Sequence, residues 1–160
     1  MNAQPHKRDR TQARPFLQEQ TLVRVRFHEV DSMRVVWHGH YVAYFEEARR
    51  AFGRRYGIDY PVFTQNDVAA PVVQLHINYL LPARLNDVLE VSARLYRPEA
   101  VKIEFAYDIR RQGDGALLTS AQSVQVLTQP PDHELILVWP PFMLELLRQW
   151  EPLWIHPPAQ

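Results

Sequence analysis

The stretch VRFHEVDSMRVVWHGHYVAYFEEARR, residues 25–50, decides how the chain is read. It begins as an alternating strand, breaks at Asp31, and resumes at about His40 with the spacing of a helix. Tyr41, Tyr44, Phe45, Ala48, Ala51, Phe52 and Tyr56 recur three and four apart, while Glu46, Glu47, Arg50, Arg54 and Arg55 supply a wet face. The expected helix therefore spans about His40 to Tyr56, with Gly57 as its C-terminal cap. A stripe this wide and aromatic needs a large apolar surface to cover it.

Working outward, that surface is legible as strands. Residues 20–27 (QTLVRVRF) have a two-residue period, and so do 70–80, 87–97, 100–111 and 116–128. The clearest case is Val101, Ile103, Phe105, Tyr107 and Ile109 against Lys102, Glu104, Ala106 and Asp108. Asp114-Gly115 marks a hairpin between the last two runs. The run ELILVW suggests a further edge strand, and Pro140-Pro141 stops it ahead of a short helix, FMLELLRQW. The order strand, long helix, then four or five mostly antiparallel strands implies an α+β domain, its helix held against the concave face of a curled sheet.

Length and composition fit one domain over residues 18–150. Residues 1–17, polar and interrupted by Pro5 and Pro15, read as a flexible tail, and the proline-rich 151–160 as a second one. The 18 basic residues balance the 18 acidic ones, which gives no global field for nucleic acid or an anionic membrane. No run approaches the roughly 20 apolar residues that span a bilayer. The basic N-terminus lacks the apolar core of a secretory signal, so a cytoplasmic protein is expected. Cysteine is absent, which excludes thiolate nucleophiles and cysteine metal sites. His38-Gly39-His40 places two imidazoles close together, but no third ligand stands at a telling spacing and no metal is expected. His28 and His76 read as ordinary strand residues.

The run F-H-E-V-D-S-M-R-V-V-W-H-G-H-Y-V-A-Y-F-E-E-A-R resembles the signature of the hotdog-fold acyl-CoA thioesterases. The branch it looks like is the 4-hydroxybenzoyl-CoA thioesterase type, which includes short-chain enzymes associated with the Tol–Pal system. A second segment, YLLPARLNDVLEV, is similar to another stretch of that family, and the likeness covers about residues 20–130. It implies a hotdog fold: a curled antiparallel sheet of five or six strands around one long central helix. It also implies hydrolysis of an acyl-CoA or acyl-carrier-protein thioester, CoA entering as part of the substrate rather than as a cofactor. Asp31 matches the catalytic carboxylate, acting as nucleophile or as general base. His38 matches the residue whose backbone N–H polarises the thioester carbonyl, and Val36, Trp37 and Tyr44 are the side chains expected to touch substrate. The family also implies a homodimer or homotetramer, with the pantetheine arm running between subunits.

Elementary chemistry agrees with these roles. A helix amino terminus offers unpaired N–H groups and partial positive charge, suited to an oxyanion. Asp31 also fits a plain loop or capping carboxylate. Glu46 matches the glutamate of Y-F-E and reads as structural, although a related branch takes its catalytic carboxylate from this helix. Four residues depart from the family pattern: Glu29 replaces the first aspartate of D-x-D, Met33-Arg34 replaces a small, often glycine-containing pair, and His40 replaces asparagine. Two rival functions remain open, a hotdog domain that binds acyl thioesters without cleaving them and a hotdog dehydratase.

Overall fold

The computed structural model describes residues 14–158. Its main sheet has five strands in the order β1-β3-β4-β5-β2, every neighbouring pair antiparallel: β1 Phe16–Arg24, β2 Val72–Tyr79, β3 Val88–Tyr96, β4 Lys102–Arg111 and β5 Leu117–Val126. Helix α1, His40–Tyr56, lies against this sheet. The α+β hotdog arrangement expected from the sequence is the one observed.

Two periodicities meet in the core. From α1 come Tyr41, Tyr44, Phe45, Ala48 and Phe52. From β3 come Leu89, Val91, Ala93 and Leu95, and from β4 Ile103, Phe105, Tyr107 and Ile109, each set on one face of its strand. Rings lock the layers: Phe45 stacks on Tyr107 at 5.0 Å, and Phe52 meets Phe105 edge-on at 5.1 Å. Gly57 ends α1 in the left-handed conformation (φ 73°), where a side chain would be strained, and its N–H returns to the Gly53 carbonyl.

Several boundaries differ from the sequence reading. Phe16 and Leu17, expected in the N-terminal tail, begin β1, and Leu17 is fully buried. The rest of that tail, through residue 13, lies outside the described residues. The C-terminal segment is not a tail as far as residue 158: Trp154 is buried, and Ile155 bridges Phe16 by two backbone hydrogen bonds. Of the run ELILVW only Glu134–Leu135 (β7) pairs, with Thr128–Gln129 (β6), outside the main sheet. A short helix α2, Tyr60–Gln65, was not anticipated. The expected C-terminal helix forms as α3, Pro141–Trp150, and its Trp150 indole donates to the Tyr56 carbonyl at 3.0 Å.

Candidate active site

The segment between β1 and α1 is a tight hairpin that feeds the helix. Val30 and Val36 bridge, the Asp31 N–H donates to the Val35 carbonyl at 2.9 Å, and the Arg34 N–H returns to the Asp31 carbonyl at 2.9 Å. Arg34 sits at φ 62°, the left-handed corner of a bulged turn where glycine is preferred. The departure of Met33-Arg34 from the family pair thus falls on a residue with a real conformational demand.

Asp31 holds that turn with one oxygen. Its Oδ1 accepts from the Met33 N–H at 2.8 Å and more distantly from the Val35 N–H at 3.5 Å, while Oδ2 has no hydrogen-bond partner among the described residues. The carboxylate is half-buried. It is therefore both anchored and available, combining the capping role with a free oxygen.

After the hairpin the chain enters α1 with a definite pattern of spent amides. The Val36 N–H goes to the Ala83 carbonyl, the Trp37 N–H to the Glu29 carbonyl, and the His40 N–H to the Trp37 carbonyl, each at 2.9 Å. Among the described residues no acceptor meets the N–H of His38 or of Gly39. Two successive free donors thus stand at the start of a 17-residue helix, groups of a kind that suits developing negative charge. Trp37 roofs it, its indole lying so close over Gly39 that a Cβ there would fall 2.0 Å from the ring. The rings of His38 and His40 flank that indole at 4.8 and 5.5 Å.

The two sequence motifs meet here. Ala83, fully buried, donates its N–H to the Tyr41 hydroxyl at 3.1 Å and offers its carbonyl to Val36. Asp87 receives the Arg84 N–H at 2.9 Å and the Arg111 guanidinium at 3.2 Å, fixing the P-A-R-x-x-D loop beneath the helix start. Tyr79, at the end of β2, donates its hydroxyl to the His38 carbonyl at 2.8 Å. Burial pushes the phenols of Tyr41 and Tyr79 above their ordinary value, so both stay protonated at neutral pH.

Of the side chains expected to touch substrate, only Trp37, 49 % exposed, is at the surface. Val36 points into the core. Tyr44 is 2 % exposed and donates its hydroxyl to Glu29 Oε2 at 2.8 Å. The helical stripe that carries Tyr44 faces the sheet, and the Val30–Val36 bridge turns Val36 inward. Glu29, which sequence reasoning treated only as a departure, is itself buried and also accepts the Arg26 N–H at 2.7 Å.

A cavity of about 910 Å³ opens elsewhere, between the middle of α1, α2 and the segment that leads into β2. Its floor includes Ile58, Phe63, Val68, Ile103 and Phe105, and Arg49, Arg50 and Arg54 stand among its polar residues. Glu46 lines it too, tied to Arg49 in an ion pair. Neither Asp31 nor His38 of the same chain borders it.

Comparison with known proteins follows the same lines. Residues 25–147 match the thioesterase-like superfamily. The chain is similar to the acyl-CoA thioester hydrolase YbgC of Escherichia coli, 30% identical over 108 residues that make up 68% of this chain and 80% of that protein. A hypothetical protein from Thermus thermophilus superposes with a TM-score of 0.71 at 31% identity, covering 81% of this chain and 97% of the other. DHNA-CoA thioesterase from Staphylococcus aureus shares the fold with a TM-score of 0.76 at 22% identity, covering 85% and 92%.

Proposed function

The chain belongs to the thioesterase-like superfamily, and we propose that it hydrolyses the thioester bond of an acyl-CoA. The observation that carries this reading is the pairing of a half-free aspartate with two unspent main-chain amides across one short turn. The thioester carbonyl oxygen sits on the His38 and Gly39 N–H groups. As its carbon becomes tetrahedral, negative charge grows on that oxygen where fixed donors already point. Oδ2 of Asp31 either adds to the carbon or takes a proton from a water that adds. The C–S bond then breaks, and the thiolate leaves to be protonated as free CoA; on the first course a water then cleaves the acyl-aspartate anhydride, releasing the acid and restoring the Asp31 carboxylate. Single-turnover hydrolysis in heavy-oxygen water separates the two courses, because only a covalent acyl-aspartate leaves label in the enzyme. Glu46 is the weaker candidate for attack, since Arg49 already engages its carboxylate.

A second copy completes the site in this reading. Strand β2 is an edge of the sheet and is uncovered: Val72, Leu75 and Tyr79, on one face, are 45, 42 and 48 % exposed. Two β2 strands paired antiparallel about a two-fold axis put the end of one beside the start of the other. The end of β2 is tied to its own helix start through Tyr79, and the segment that leads into it, Ala69, Ala70 and Pro71, borders the cavity. Pairing therefore brings the amides of each protomer toward the cavity of its partner, whose apolar floor would house the acyl group.

The test is Asp31→Asn, assayed for thiol release from short, long and aromatic acyl-CoAs and from acyl carrier protein. The variant should fold as the wild type and release no thiol above background. Undiminished turnover would remove the assignment, and acyl-CoA binding without any thiol from the wild type would favour a binding domain.

A further inference from the structure

We propose that Glu29 and Tyr44 form a positioning clamp that holds the His38 and Gly39 amides in register for an oxyanion, a role that rests on the reading of the helix start just given. Three attachments converge on Glu29. Its main-chain carbonyl takes the Trp37 N–H at 2.9 Å, which ends the run of spent amides immediately before the two free ones. Its carboxylate takes the Tyr44 hydroxyl at 2.8 Å, from the first turns of α1, and the Arg26 N–H at 2.7 Å, from the end of β1. One residue thus joins the incoming strand, the segment that delivers the free amides, and the helix on which they sit.

The clamp is costly enough to need a purpose. Glu29 is 8 % exposed, and no cation lies within ion-pairing distance of it among the described residues. A buried carboxylate without a cation persists only when fixed donors satisfy it, and here a phenol and an amide do so. Burial, and next the hydrogen bond to Glu29, push the Tyr44 phenol far above its ordinary value, so the donor never ionises in a working pH range. Losing either partner leaves the other buried and unsatisfied, and the nearest soft element is the 27–39 segment, which carries the amides. Glu29 and Tyr44 touch no reacting atom. They act through the backbone.

The experiment compares Tyr44→Phe, Glu29→Gln and Glu29→Leu in the full chain. Displacing an amide by a fraction of an ångström costs about 10- to 100-fold in kcat, so Tyr44→Phe and Glu29→Leu should lose that much with KM for the acyl-CoA little changed. Glu29→Gln still offers a carbonyl oxygen to both donors and should recover most of the loss. Hydrogen–deuterium exchange gives a readout free of activity: the 37–43 segment should exchange about tenfold faster in Tyr44→Phe, with β3 and β4 unchanged. Two results overturn the clamp: unaltered exchange at 37–43, or Glu29→Gln as damaging as Glu29→Leu, which would make the charge itself the active feature. If the wild type cleaves no thioester yet exchange responds as described, the hydrolase reading falls while the clamp stands.

Discussion

Gly39→Ala should destabilise the protein and dislodge Trp37 although the backbone itself favours the change. Gly39 has helical angles (φ −69°, ψ −26°), so alanine there gains about 0.5–1 kcal/mol from the unfolded chain. The new methyl group, however, would lie 2.0, 2.3 and 2.6 Å from three atoms of the Trp37 ring. That overlap cannot be absorbed, and the indole must leave. Trp37 is 49 % exposed, so about half of its surface is covered. Half of a tryptophan that buries up to about 250 Å² is roughly 120 Å², worth about 3 kcal/mol at 25 cal/mol per Å². Subtracting the backbone gain leaves a net loss of about 2 kcal/mol. Urea unfolding followed by far-ultraviolet circular dichroism measures the loss, and tryptophan emission, shifted to the red, reports the freed ring. A variant as stable as the wild type, with unshifted emission, would refute the packing on which the roof of the site depends.

Arg34→Gly should be neutral or stabilising by up to about 1 kcal/mol, because the left-handed corner strains any side chain, whereas the branched Arg34→Val should cost about 1–2 kcal/mol; urea midpoints decide between them. Leu75→Lys, a charge on the uncovered face of β2, should yield monomers in sedimentation velocity and lose thiol release with them; an active monomer would contradict a site shared between copies. Stability should also fall in acid through Glu104. Burial alone would raise this carboxyl, but hydrogen bonds from Lys102 and Arg14 outweigh it and hold the group below its ordinary carboxylate range. A depressed carboxyl contributes stability above its unfolded value and loses it as pH drops through the folded one, so the urea midpoint should decline below about pH 4.5. Glu104→Gln should flatten that decline.

What the sequence made legible was whatever depends on local period. Helix α1 runs from His40 to Tyr56 as expected because one stripe of aromatic residues and one capping glycine define it without reference to the rest of the chain. β4 is equally self-evident. The chain ends were misjudged because prolines at 15, 152, 157 and 158 look like tail composition, while the burial of Leu17 and Trp154 arises only when the ends meet at the Phe16–Ile155 bridge. Helix α2, six residues long, is too short to show a period. In the site, the motif pointed to Asp31 and to the helix start. The Glu29–Tyr44 contact joins residues 15 apart across a hairpin, and nothing in spacing alone distinguishes a phenol that faces a ligand from one that faces a buried carboxylate.

The Tyr79 hydroxyl on the His38 carbonyl reaches further than its single hydrogen bond. That carbonyl and the Gly39 N–H belong to one peptide plane, so drawing electron density toward the oxygen sharpens the acidity of the amide proton on the opposite side. Tyr79 is also the last residue of the uncovered strand. In the proposed reading, a second copy paired along that strand has an electronic lever on the amide that would receive the substrate's oxygen, so that quaternary structure would set catalytic strength as well as shape.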